Sequence, residues 1–124
     1  MFVHFNPNPK GRSTGDCVVR AISLVTNSDW KDVYLALSMK GYELGDLPNA
    51  NHVWAKVMFD LGWKPYFLID DCPTCKTVRD FCDIYPYGTY LLASGTHAVA
   101  VRNGNYYDAW DSGDVIPIYY FRKE

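Results

Sequence analysis

Along the first half of the chain, apolar positions recur at helical spacing. Val18, Ala21, Ile22 and Val25 share one face of a helix that starts at Cys17 and runs to about Asn27. Trp30, Val33, Tyr34 and Leu37 mark a second helix, from near Ser28 to Gly41. Val53, Trp54, Val57, Met58 and Leu61 mark a third, with Asn49 as its expected cap and Gly62 just past its end. The period then changes. Lys64 to Ile69, Tyr90 to Ala93, His97 to Val101, Tyr106 to Trp110 and Ile116 to Phe121 predict short strands, with Asn103-Gly104 as a hairpin turn. One short helix interrupts them, opening on Thr77-Val78-Arg79-Asp80, a capping box with Asp in place of Glu, and stopping before Pro86. At the N-terminus Phe2, Val3 and Phe5 predict a short strand or a segment packed on the core. Asn6-Pro7-Asn8-Pro9 stops it, since each proline holds its predecessor out of the helical region. Helices first and an antiparallel sheet second predict an α+β fold.

Composition narrows the function. A chain of 124 residues, 48% hydrophobic and 21% charged, can build one core without staples, so residues 1–124 are read as a single domain. Net charge is −2 and no basic run occurs, which removes the electrostatic footprint of nucleic-acid binding. No apolar stretch reaches membrane-spanning length, and the N-terminus lacks the features of a signal peptide. The expectation is a cytoplasmic protein with reduced thiols and no membrane partner. Aromatic residues make up 16% of the chain. Trp30, Trp54 and Trp63 fit a core, whereas Tyr106, Tyr107, Trp110, Tyr119 and Tyr120 are candidates to rim a peptide groove.

The chemistry centres on Gly15-Asp16-Cys17. A cysteine in the first turn of a helix feels the positive end of the helix dipole and unpaired backbone N–H groups, and both favour the nucleophilic thiolate. Asp16 is the expected N-cap, and Arg20, one turn on, can pair with Asp16 or with an acidic group in the cleft. Thiol catalysis also needs a base, a group to orient it and an oxyanion donor. His97 opens a predicted strand. Across the Asn103-Gly104 turn, a residue near Asp108 falls roughly opposite it, with Asp111 three residues further on.

These segments resemble the papain-like cysteine peptidase fold, especially its small bacterial versions such as the bacteriocin-processing peptidases. Gly15-Asp16-Cys17 resembles the family's nucleophile helix, and Thr96-His97 with the apolar run behind it resembles its histidine strand. Asp108-Ala109-Trp110 resembles the Asn-Ser-Trp that supplies the third catalytic residue and shields it with a ring. The chain is also similar to small phage and gut-Firmicutes proteins with Asn-Pro, Gly-Asp-Cys and Trp-Asp-Ser-Gly patterns. The resemblance implies catalytic Cys17, His97 and Asp108, no cofactor, and Asp16, Arg20 and Trp110 along a substrate groove. The family's oxyanion glutamine has no counterpart, since the chain contains no glutamine. Asn8 or Asn6 is the expected replacement, working with the backbone N–H of Cys17.

Cys72-Pro73-Thr74-Cys75 with Cys82 is a competing, incomplete zinc set lacking a local fourth ligand. Two classes of function follow for the papain-like reading. One is a hydrolase of peptide, isopeptide or other amide bonds. The other is an inactive module of phage or mobile-element origin that grips a host protein.

Overall fold

The computed structural model describes residues 1–68 and 75–123. In chain order it contains β1 (Phe2–His4), α1 (Cys17–Thr26), α2 (Trp30–Leu44), α3 (Asn51–Asp60), β2 (Trp63–Phe67), α4 (Val78–Ile84), β3 (Thr89–Ala93), β4 (Ala98–Arg102), β5 (Asn105–Asp108) and β6 (Tyr119–Lys123). The strands form one sheet in the order β1-β5-β4-β3-β6-β2. The class is α+β, but the sheet is mixed rather than antiparallel throughout: β1 pairs with β5 in parallel, Phe2 opposite Tyr106 and His4 opposite Asp108. Among the described residues no helix is long and apolar enough to cross a membrane.

Side-chain alternation on β4 explains how the layers assemble. Ala98 and Ala100 face α1 in one core cluster, and Val99 and Val101 face α4 in the other. Two alanines on the α1 side let the helix backbone come close to the sheet, and that approach carries Cys17 toward the start of β4. Val18, Ala21, Ile22 and Val25 fill the space above them, all buried. Arg102 secures the far end of α1, donating from Nη2 to the Leu24 carbonyl at 2.7 Å and to Asn27 Oδ1 at 3.1 Å. A cation on the last carbonyls also suits the helix dipole. Ala100→Leu is expected to cost about 1–3 kcal/mol by overpacking this seam. An unchanged urea midpoint would mean that α1 is not seated on the small side chains.

Several local signals appear as read. Thr77 Oγ1 accepts from the Asp80 N–H at 3.1 Å and the Asp80 carboxylate accepts from the Thr77 N–H at 3.0 Å, which is the capping box of α4. Asn103 and Gly104 both have positive φ, 50° and 78°, as a two-residue type I′ hairpin requires. Others differ. α2 passes through Gly41 and ends at Leu44, with Gly45 left-handed behind it. Gly41 is a packing glycine instead: a Cβ there would lie 2.7 Å from the Asp46 carbonyl oxygen. The cap of α3 is Ala50 rather than Asn49. β6 starts at Tyr119, not Ile116, because Pro117 has no N–H for the ladder. β2 ends at Phe67, and Ile69 lies outside the described residues.

Candidate active site

The N-terminus of α1, the turn before β4 and the end of β5 converge. Cys17 is the first helical residue and is half-buried. His97 lies one residue before β4, in a turn closed by the Ser94 N–H donating to its carbonyl at 2.9 Å and by its own N–H donating to Ser94 Oγ at 3.1 Å. The imidazole stands beside the Cys17 thiol, and both line the same cavity. Its Nε2 lies 2.7 Å from Asp108 Oδ2, so Nδ1 is the nitrogen left for sulfur. The Trp110 ring centroid is 4.8 Å from the imidazole, and Trp110 remains 50% exposed.

Asp108 is completely buried, and four donors meet its two oxygens. Oδ2 accepts from His97 and from Ser112 Oγ at 2.6 Å; Oδ1 accepts from Arg20 Nη2 at 2.7 Å and from the Ala109 N–H at 2.8 Å. A fully satisfied carboxylate of this kind holds a single orientation. Arg20, 4% exposed, bridges to a second acid through Nη1 and Asp16 Oδ1 at 2.6 Å. The other Asp16 oxygen accepts from Trp30 Nε1 at 2.9 Å. Asp16 holds the N-cap position of α1, but its side chain makes no cap hydrogen bond and turns to Arg20 and Trp30 instead. Asp16 and Arg20, expected along a groove, are buried supports that also reach the cavity walls, Arg20 in the cavity over Cys17 and Asp16 in the one beside it. Asp111 accepts from the Tyr106 hydroxyl and the Gly113 N–H, away from His97.

Charge in the cluster favours the ion pair. Burial pushes the Cys17 thiol up. Hydrogen bonds from His97 and the Ala98 backbone N–H, with the charges of His97 and Arg20, outweigh burial and hold Cys17 below the ordinary thiol value. Burial likewise opposes the imidazolium, yet the Asp108 and Cys17 contacts push His97 up to about 9. Asp108 is also opposed by burial, but its bonds from His97 and Ser112 and the nearby charges of His97 and Arg20 lower it. Both shifts run toward the thiolate–imidazolium pair.

A cavity of about 500 Å³ opens over Cys17 and His97, with Thr14, Asn49, Asn51 and Trp110 among its walls. A second cavity of about 510 Å³ shares Thr14, Gly15 and Asn49 with it and runs over Trp30 and Tyr34, whose rings stack at 5.2 Å. The expected oxyanion amides are elsewhere. Asn6 Nδ2 donates to the Arg12 carbonyl and Asn6 Oδ1 accepts from the Asn8 N–H, while Asn8 Oδ1 accepts from the Lys10 N–H; neither residue lines the Cys17 cavity. Asn6 uses both ends of its amide on its own loop, and Asn8 fastens the same loop through Oδ1 while lining the second cavity. Two further amides line the cavity, Asn51 and Asn49, the second of them expected as a helix cap. Asn51 donates to the Gly95 carbonyl and accepts from Trp54 Nε1, which leaves Asn49.

Of the aromatic residues expected on a groove, Tyr106 and Tyr120 are buried against α4, and Tyr107 and Tyr119 pack on the α1 core; Trp110 reaches the cavity. Trp54 and Trp63 are core residues, and Trp30 is half-buried on Asp16. Of the proposed zinc set, Cys72 lies outside the described residues, Cys75 is exposed and Cys82 is on the buried face of α4, where desolvation, with Asp83 adding to it, raises its thiol. Among the described residues no group of three metal-ligating side chains converges.

No family model matches the chain, and no curated protein or solved structure matches it.

Proposed function

We propose that this protein is a papain-fold cysteine hydrolase that cuts an amide bond in a peptide or protein substrate. The observation that carries the reading is the convergence of Cys17 and His97 on one cavity at the N-terminus of α1, with His97 held from behind by Asp108 at 2.7 Å. In this mechanism Cys17 Sγ attacks the carbonyl carbon, and the π electrons move onto oxygen. The backbone N–H of Cys17 has no helical partner and donates to that oxyanion. His97 passes its proton to the leaving nitrogen as the C–N bond breaks. It then takes a proton from water, which attacks the thioester and releases Cys17. Asp108 holds the imidazole with Nδ1 toward sulfur. The two adjoining cavities suit an extended, chain-like substrate.

Asn49 supplies the second oxyanion donor in this reading. Asn49→Ala is expected to lower turnover by about 100- to 1000-fold while leaving alkylation of Cys17 intact. Equal turnover in the variant would remove Asn49 from the mechanism. Hydrolysis should follow a bell-shaped pH curve: it falls at acid pH as a proton returns to Cys17, below the ordinary thiol value, and at alkaline pH as His97 loses its proton near 9.

The test is cleavage of a denatured-proteome peptide library, read by mass spectrometry, against Cys17→Ala. New termini from the wild type and none from the variant support hydrolysis. A second reading, a module that grips a partner without turnover, is favoured by the loss of Asn6 and Asn8 to their own loop. It predicts no cleavage by either protein and a partner bound equally by both.

A further inference from the structure

Arg20 stands between two buried carboxylates, and that arrangement has a consequence for His97. Asp16, Arg20 and Asp108 are 7%, 4% and 0% exposed, so water screens them poorly. Two carboxylates share one guanidinium, which leaves the trio one positive charge short. The imidazolium, 2.7 Å from Asp108, supplies it. We propose that Arg20 and Asp16 are positioning residues that set the charge seen by His97: the guanidinium offsets Asp108, and Asp16 limits how far, by drawing on the same guanidinium.

The geometry supports the division. Nη1 goes to Asp16 Oδ1 at 2.6 Å and Nη2 to Asp108 Oδ1 at 2.7 Å, so one planar group spans both acids. Trp30 Nε1 pins the remaining Asp16 oxygen at 2.9 Å, which stops Asp16 from turning away. The Asp108 oxygen that holds His97 is the one Arg20 leaves alone. Arg20 therefore acts on the imidazole through the charge of Asp108 and does not compete for its hydrogen bond. Facing His97 are Cys17 and Arg20 from α1 and Asp108 from β5, while the α3 side of the cavity brings the neutral Asn49 and Asn51. Ser112 and Trp110, after β5, carry no charge. Asp16 is thus the second anion of the cluster, one step removed. The proposal rests on the hydrolase reading for its purpose, a proton on His97 that is held firmly enough to pair with the thiolate and loosely enough to reach the leaving group. Its test needs no turnover.

The experiment is an NMR titration of histidine labelled with ¹³C at Cε1, with His97 assigned through His97→Ala and with Cys17→Ala as the common background. Asp16→Asn keeps the shape and one accepting oxygen but removes the extra anion, so the His97 midpoint is expected to fall by about 1 pH unit. Arg20→Gln keeps one donating amide but removes the cation, so the midpoint is expected to rise by a similar amount, about 1 pH unit. Shifts of opposite sign support the charge-setting role. A purely structural role for Arg20 predicts that both substitutions loosen the same contact and move His97 in the same direction, and that result overturns the proposal. Should Arg20→Gln not fold, Asp16→Asn decides alone: an unchanged or higher midpoint overturns it. Failure here leaves the library result with Cys17→Ala untouched, so the two ideas stand or fall separately.

Discussion

Replacing Asp108 with alanine is expected to lower the free energy of unfolding by about 3–5 kcal/mol, the cost typical of breaking a buried ionic cluster from one side. The size follows from what the side chain leaves behind. Arg20 Nη2, Ser112 Oγ, the Ala109 N–H and His97 Nε2 would all lose their acceptor, the first two in buried positions. Asp108→Asn separates charge from shape. Its amide keeps one accepting oxygen, so most of the fold should survive, while His97 loses the charge that holds it near 9. Urea unfolding of the three proteins checks the order wild type, Asn, Ala. An Asp108→Ala midpoint equal to wild type would show that the cluster does not hold this part of the molecule together.

His97→Ala has the largest expected effect on chemistry. In the proposed mechanism His97 is the general acid and base, and its removal should cost about 100- to 10,000-fold in turnover. It should also change the thiol itself. With the imidazole gone, Cys17 keeps the Ala98 N–H and the Arg20 charge but loses its leading hydrogen bond, and burial then pushes the thiol up. Alkylation near neutral pH is expected to slow together with hydrolysis. Slower hydrolysis with unchanged alkylation would mean that His97 handles the leaving group without setting the state of the nucleophile.

Much of this arrangement was legible in the sequence because it depends on short-range physics. The apolar stripe Val18, Ala21, Ile22 and Val25 placed α1 and put Cys17 at its mouth. Asn103-Gly104 set the β4–β5 turn and brought Asp108 back toward His97. What failed to show depends on distance along the chain. A three-residue β1 carries too little pattern to reveal that it runs parallel to β5. Gly41 reads as a stop signal when considered alone, and only the fold shows it making room for the Asp46 carbonyl. Asn6 and Asn8 stood nearest to Cys17 in sequence among the amides before it, yet both fasten their own turn, while Asn49 comes from 32 positions later, between Cys17 and that residue. The pairing of Arg20 with Asp16 follows from helical spacing, but its reach to Asp108, 88 positions away, does not.

The central claim, that Cys17 is held as an activated nucleophile by His97, is tested most directly by the pH dependence of its alkylation. Iodoacetamide labelling is followed by mass spectrometry of the Cys17 and Cys75 peptides from the same sample. Cys75 is exposed and serves as the internal reference. For Cys17 the midpoint should lie below that of an ordinary thiol, and it should move upward in His97→Ala. A Cys17 midpoint at or above that ordinary value, unmoved by His97→Ala, would contradict the account.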